Sequence, residues 1–252
     1  MEETPSVFQS KPGRTTIVQH SIHVGDAAPI RQRPYRIPYS GRKMVKRELD
    51  EMLASGVIRP STCPWASPIV LVEKKDGGVK FCVDFRKLNQ VAKFDAYPMP
   101  LVEEVFESIG TSAVVTTLDP ASGYWQIPMD PKSRDKTAFT TPFGLFEFEV
   151  MPFGLHSAPT TFQRMISHVI RDCPQFFCAY LDDVAVFSKN WEEHCAHLRQ
   201  VFSRLHIAGL TLKLRKCRFG ESRFPISDTS SVGGSSSQIL AKCKLFQSSP
   251  DL

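Results

Sequence analysis

Residues 176–187 read Phe-Phe-Cys-Ala-Tyr-Leu-Asp-Asp-Val-Ala-Val-Phe, an apolar run broken only by two adjacent carboxylates. Short runs rich in aromatic and β-branched residues form strands, and aspartates between two of them mark a turn. The run predicts a hairpin with arms at Phe176–Leu181 and Val184–Ser188 and with Asp182 and Asp183 at its tip. A second apolar stretch, Ala113-Val114-Val115-Thr116-Thr117-Leu118-Asp119, reads as a buried strand that ends on an acid. A sheet of such strands needs helices to cover its apolar face, so the rest of the chain is constrained to supply amphipathic helices.

It supplies them. Met44, Val45, Leu49, Met52 and Leu53 form one apolar stripe over about 41–55, with Ser40 as the expected N-cap and Gly56 as the stop. A second helix over about 158–171 carries Phe162, Met165, Ile166, Val169 and Ile170 inward, and Pro100 opens a short one ending at Gly110. From Trp191 to about Ala208, Trp191, Cys195, Leu198, Val201, Phe202 and Leu205 share a face, and Gly209 ends it. Ser67–Val72 and Val79–Val83 flank Asp76-Gly77-Gly78, a strong hairpin signal. Further strands are expected at Tyr124–Met129, Thr137–Thr141 and Leu145–Val150. This order of elements gives an α+β layer, a sheet covered by helices on one face, with no internal repeat.

The 252 residues carry 31 basic and 26 acidic side chains, a net charge of +5 that is compatible with a polyanionic partner. At 42% hydrophobic and 23% charged, the composition excludes collagen-like, coiled-coil and wholly disordered chains. No apolar run is long enough to span a bilayer, and Met1–Pro5 lacks the features of a signal peptide. The expectation is an intracellular protein of cytoplasm or nucleus, not secreted, with no membrane partner. Its 7 scattered cysteines fit free thiols in a reducing compartment. His194, Cys195 and His197 cannot all converge on one ion from a helix and are assigned to the helix surface. Residues 1–40, with Arg31, Arg33 and Arg36 between prolines, are expected to form an extended basic arm. The Ser- and Gly-rich tract 227–237 has no apolar period and is expected to be disordered.

The Asp182–Asp183 pair is by itself explained by aspartate's preference for turns in water. Asp119 shifts the weighing. If the hairpin packs beside the strand that Asp119 ends, Asp119 and Asp182 meet where two divalent ions ~3.5–4 Å apart activate a 3′-hydroxyl and stabilise a leaving pyrophosphate. Mg²⁺ suits such a site, because it takes hard oxygen ligands and keeps waters and substrate phosphates around it.

At this point the chain resembles a known family, the reverse transcriptases of gypsy-type (Metaviridae) LTR retrotransposons. The matching stretches run from about Gly25 to Arg223: GDAAPIRQRPYRIP, VKRELDEMLASGVIRPSTCPWASPIVLVEKKDGGVKFCVDFRKLN, TTLDPASGYWQI, TAFTTPFGLFEFEVMPFGLHSAPTTFQRM, AYLDDVAVFS and WEEHCAHLRQVFSRL. The resemblance implies a fingers-and-palm fold with an antiparallel palm sheet covered by helices on one face. It implies a reverse transcriptase domain over 41–223, with fingers about 41–112 and 131–156 and palm about 113–130 and 157–223, followed by a divergent tail at 224–252.

The resemblance also assigns roles. Asp119, Asp182 and Asp183 match the catalytic, metal-binding aspartates, for two Mg²⁺ ions or alternatively Mn²⁺. Tyr124 matches the aromatic position under the incoming sugar, against a purely packing role. Ser122 and Gly123 would turn their amides to the triphosphate, Lys74, Lys75 and Lys80 lie in the fingers flap, and Phe153 and Gly154 lie in the nucleotide-pocket turn. Arg86, Tyr180 and Leu181 match template and primer contacts. The implied partners are dNTPs and a primed RNA or DNA template, and nothing sets an oligomeric state. Three positions depart from the family: Pro120 directly after Asp119, Lys80 where an arginine is usual, and the sequence beyond Arg223, where a primer-gripping hairpin is expected. The activity implied is a truncated RNA-directed DNA polymerase without the RNase H region. The alternative is a non-catalytic nucleic-acid-binding relic or co-opted module, working through Arg31–Arg36 and Lys213–Lys216.

Overall fold

The computed structural model describes residues 7–9, 11–73, 79–99, 109–110, 112–171, 175–180 and 183–222. They belong to two units: Met1–Gly13, Pro98–Gly123 and Gln163–Leu252 form the first, Arg14–Tyr97 and Tyr124–Phe162 the second. Lys74, Lys75, Leu181, Asp182, residues 100–108 of the helix expected from Pro100 and the Ser/Gly tract lie outside the described residues. Among the described residues no helix is long and apolar enough to cross a membrane. None of the five described cysteines is in a disulfide.

The second unit is built on a five-stranded sheet in the order β1-β6-β5-β2-β3. Its strands are β1 (Ile58–Pro60), β2 (Ser67–Glu73), β3 (Val79–Val83), β5 (Phe139–Thr141) and β6 (Gly144–Phe148). The hairpin read from Asp76-Gly77-Gly78 is present, with β2 and β3 antiparallel from Ile69↔Val83 to Glu73↔Val79. β2 and β5 run parallel, so this sheet is mixed. Phe139 anchors the core at 0% exposure, with its ring centroid 5.8 Å from Phe81, 6.0 Å from Phe146 and 5.2 Å from Phe148.

Helix α1 (Tyr39–Ala54) forms where the stripe predicts it, burying Val45, Leu49 and Met52 at i, i+4 and i+7. Its start differs. Pro38, not Ser40, is the N-cap, and there is no side-chain cap. A proline loses nothing at this position, because its missing N–H would have no partner in the helix. At the other end Gly56 takes φ +65°, its N–H reaching Leu53 O at 3.1 Å while Val57 N–H reaches Met52 O at 2.9 Å. Those two bonds close the helix as a glycine-terminated Schellman motif. A short helix, α2 (Arg86–Val91), follows β3 and buries Leu88.

The strand expected at Tyr124–Met129 is instead a 3₁₀ turn over Gly123–Gln126, followed by isolated bridges at Pro128 and Met129. The turn begins where Ser122 adopts φ +50°, a reversal that a continuous strand cannot contain. Residues Pro131–Thr137 form a second 3₁₀ segment, capped by the Asp130 carboxylate on Lys132 N–H, which shortens the next strand to β5.

The first unit carries a four-stranded antiparallel sheet, β7-β8-β4-β9, from β7 (Phe177–Tyr180), β8 (Asp183–Ser188), β4 (Val114–Leu118) and β9 (Arg218–Ser222). Helix α3 (Ala158–Val169) contributes its C-terminal part, where Gln163 donates to Ala179 O at 3.2 Å. Helix α4 (Trp191–Ile207) starts on the Asn190 side chain, which accepts from Glu193 N–H, and buries Val201, Phe202 and Leu205. Arg204 of α4 donates to Val169 O, so the two helices cover the same face of this sheet. One assignment is corrected here: His194 is 0% exposed rather than on the helix surface. Its Nε2 lies 2.7 Å from Thr116 Oγ1 and its Nδ1 2.9 Å from Ser188 Oγ. Two hydroxyls on β4 and β8 satisfy the imidazole, which is why it can be buried.

Candidate active site

β4 holds the centre of its sheet between β8 and β9, and Asp119 is the residue that leaves its end. Three contacts fix it. Its N–H donates to Cys217 Sγ at 3.4 Å, its C=O accepts from Lys213 N–H at 2.9 Å, and its Oδ2 lies 3.3 Å from Lys216 Nζ. Burial pushes the Cys217 thiol up, so that sulfur stays neutral beside the carboxylate. Asp119 keeps about a third of its side chain in solvent and already holds one cation, Lys216.

β4 and β8 pair antiparallel with Leu118 opposite Val184. Asp119 directly follows Leu118 and Asp183 directly precedes Val184, and Tyr180 opposite Asp183 closes the β7–β8 hairpin. The structure thus brings Asp119 and Asp183 to the same end of the sheet from 64 residues apart in the chain. Asp182 and Leu181 fall between Tyr180 and Asp183, outside the described residues. Two carboxylates at neighbouring positions are hard oxygen donors, the set that suits Mg²⁺.

Pro120 is accommodated. It forms an isolated antiparallel bridge with Leu212, flanked by Lys213 N–H to Asp119 O and Ala121 N–H to Thr211 O at 3.0 Å. In such a pair the bonds belong to the flanking residues, and the central residue's own amide points away from that partner. The missing proline N–H therefore costs no bond to the 211–213 segment. Beyond it, Ser122 is the one described non-glycine residue at positive φ, and the Ser122 and Gly123 amides have no hydrogen-bond partner among the described residues. A strained backbone of this kind persists where the surrounding structure fixes it.

In the second unit, Tyr124 is 8% exposed, its ring centroid 5.0 Å from Phe153 and 5.7 Å from Phe162. Phe153 is 43% exposed, and Lys80 Nζ sits 5.9 Å from its ring centroid. Gly154 follows at φ +95°, and Asn89 clamps this turn by donating to Gly154 O at 2.9 Å while accepting from His156 N–H. Tyr124, Lys80, Phe153 and Gly154 are thus close together, and Asn89 is a member that the sequence reading missed. Arg86 is held by a fork, Nε and Nη2 on the Asp84 carboxylate at 2.9 and 2.7 Å, with Tyr35 Oη donating to the same group. The guanidinium holds the Asp84 carboxyl far below the usual range, and Arg86 remains 81% exposed on its outer side. Lys216 was visible in the sequence only as part of a basic stretch; its partner is 97 residues away.

A protein-family model described as reverse transcriptase (RNA-dependent DNA polymerase) matches residues 72–232. The chain belongs to this family. Among curated relatives, the reverse transcriptase chain is 38% identical over 211 residues to the retrovirus-related Pol polyprotein from transposon 297 of Drosophila melanogaster, covering 81% of this chain. It is 36% identical over 211 residues to that from transposon gypsy of the same organism, and 35% identical over 196 residues to the transposon Tf2-3 polyprotein of Schizosaccharomyces pombe. These matches cover 81% and 77% of this chain, in the same order. The chain spans about a fifth or less of the relatives' length: 20% for both Drosophila proteins and 15% for the yeast one.

Among solved structures, prototype foamy virus protease-reverse transcriptase aligns with a TM-score of 0.78 at 27% identity, covering 85% of this chain and 29% of that one. A foamy viral protease-reverse transcriptase in complex with an RNA/DNA hybrid aligns with a TM-score of 0.75 at 25% identity, covering 84% and 29%. The α+β fingers-and-palm fold expected from the sequence is the fold of this chain.

Proposed function

We propose that this chain is the RNA-directed DNA polymerase domain of a retrotransposon Pol polyprotein, extending a primer on an RNA or DNA template with dNTPs. The observation that carries the reading is the β4–β8 register, in which Leu118 faces Val184, leaving Asp119 and Asp183 at the same end of the pair. In this reading the four-stranded sheet is the palm and the mixed sheet the fingers. Asp119, Asp183 and Asp182 would hold divalent cations, which would supply charge neutralisation at the triphosphate and acidify the primer hydroxyl. The chain's own groups do the rest. Lys213 and Cys217 fix the backbone of Asp119, Ser122 and Gly123 offer their amides to phosphate oxygens, and Lys80, Lys74 and Lys75 add positive charge. Arg86, locked on Asp84, presents its outer N–H groups to a template phosphate, with Tyr180 and Leu181 on the primer side.

The deciding measurement is incorporation of dNTPs by the full chain on a primed RNA template with Mg²⁺. Metal-dependent extension supports the reading; salt-sensitive binding without any incorporation supports the non-catalytic module instead. Tyr124→Val tests the sugar selectivity. Removing the ring is expected to admit ribonucleotides, at a stability cost of about 2 kcal/mol from the lost packing on Phe153 and Phe162. Unchanged selectivity with the same destabilisation would leave Tyr124 a packing residue. Pro120→Leu should leave extension within about twofold, since the amide it restores has no partner on Leu212's strand. A large gain would mean that the proline distorts Asp119.

A further inference from the structure

Between Asp26 and Glu48 the chain carries 7 of its 31 basic residues and none of its 26 acidic ones; without them the net charge of +5 becomes −2. The chain's positive charge is therefore local, and much of it lies on α1. Tyr39, Arg42, Lys43 and Lys46 stand at i, i+3, i+4 and i+7, one stripe beside the face that buries Val45 and Leu49, and all four are exposed. Tyr39 is 82% exposed, with Arg42 Cζ 5.6 Å from its ring centroid. Lys46 Nζ lies 5.9 Å from the ring centroid of Phe143, itself 44% exposed. Lys46 pairs with Asp50 at 2.7 Å, whereas Arg42 and Lys43 have no acidic partner among the described residues. Arg42 completes the first turn of a helix with no acid there, where the macrodipole disfavours cations, and Lys43 follows it directly. Packing accounts for none of this, because every group in the stripe faces solvent.

We propose that this face of α1, together with Phe143, is a stacking platform for single-stranded nucleic acid. Open aromatic rings beside cations match a ligand that offers unpaired base faces and phosphates together. A duplex hides its base faces, and an acidic peptide has no use for Tyr39. The site precedes the residues matched by the family model, apart from Phe143. It rests on the polymerase reading only in taking the bound strand to be a template.

The test is fluorescence anisotropy of the full chain with labelled oligo(dT) and, separately, a blunt duplex of equal length, in EDTA so that no catalysis intervenes. Tyr39→Ala should weaken oligo(dT) binding roughly tenfold, leaving its salt slope and the duplex affinity unchanged, while Tyr39→Phe retains binding. The double variant Arg42→Ala/Lys43→Ala should weaken binding at least about tenfold and reduce the salt slope by roughly 1.4. Equal loss for single strand and duplex, no loss in either variant, or competition by polyglutamate as strong as by unlabelled oligo(dT) would overturn the proposal. Thermal melts check that the variants stay folded, as exposed side chains should allow. The two readings fail separately. Absent extension with intact oligo(dT) binding defeats only the polymerase, and absent platform binding with intact extension defeats only the platform.

Discussion

Asp119→Asn should reduce primer extension by roughly 10³-fold or more while leaving the protein folded. The substitution is isosteric, so the backbone bonds to Lys213 and Cys217 are retained. What disappears is one negative charge at the end of β4, the end at which β8 begins with Asp183. The fold loses only the half-exposed pair with Lys216, a contact worth about 1 kcal/mol or less. A large fall in activity with a melting temperature within a degree or two separates a chemical role from a structural one. Lys216→Ala serves as a control, because it removes the same ion pair and keeps the carboxylate. If Asp119→Asn extended primers at the parent rate, the assignment of this strand end as the catalytic centre would fall. If both variants lost activity equally, the pair itself rather than the carboxylate would be what matters.

The same strand end separates what sequence can tell from what it cannot. Local patterns worked where one physical term dominates. Asp76-Gly77-Gly78 between two apolar runs gave the β2–β3 hairpin, and the Val45-Leu49-Met52 spacing with Gly56 gave α1 almost to its boundaries. They failed where several terms compete. Tyr124–Met129 has the composition of a strand, but the reversal at Ser122 turns the chain into a 3₁₀ segment. Ser40 is a better capping residue than proline, yet Pro38 ends the extended segment first. Strand β9 carries Arg, Gly, Glu and Ser, and only pairing with β4 makes it a strand.

The site was legible as a list and not as an arrangement. Asp119 stood out because an apolar strand ended on it, but its neighbours come from 64 and 97 residues further along. The partners of Arg86 were hidden for the opposite reason. Asp84 lies only two residues away, where no local pattern marks a buried acid, yet it is 9% exposed and locks the guanidinium.

His194 carries the last and largest expected change in stability. The sequence reading put Trp191 and Cys195 inward on α4, and judged by hydrophobicity alone that is the natural face. The helix is rotated from it, with His194, Val201 and Leu205 buried and Trp191 at 58% exposure. Rotation is possible because Thr116 on β4 and Ser188 on β8 accept or donate to both ring nitrogens, while Thr116 Oγ1 also accepts from Gly220 N–H. His197 Nδ1 shares Ser188 Oγ at 2.8 Å and stacks on Phe176. His194→Ala leaves a cavity against the sheet and strips a partner from two buried hydroxyls, a loss of about 3–4 kcal/mol in urea unfolding. The same site fixes a pH dependence. Burial, then the neighbouring His197, lowers the His194 pKa below its unfolded value near 6.5. The neutral ring's contribution is complete above that unfolded pKa and is lost as pH falls from there through the folded pKa. Parent protein should therefore lose stability faster than His194→Ala does over the interval just below about pH 6.5, with the two curves converging toward acid. Parallel curves across that interval would mean that the buried imidazole titrates alike folded and unfolded, and that the β4–α4 network does not hold it neutral.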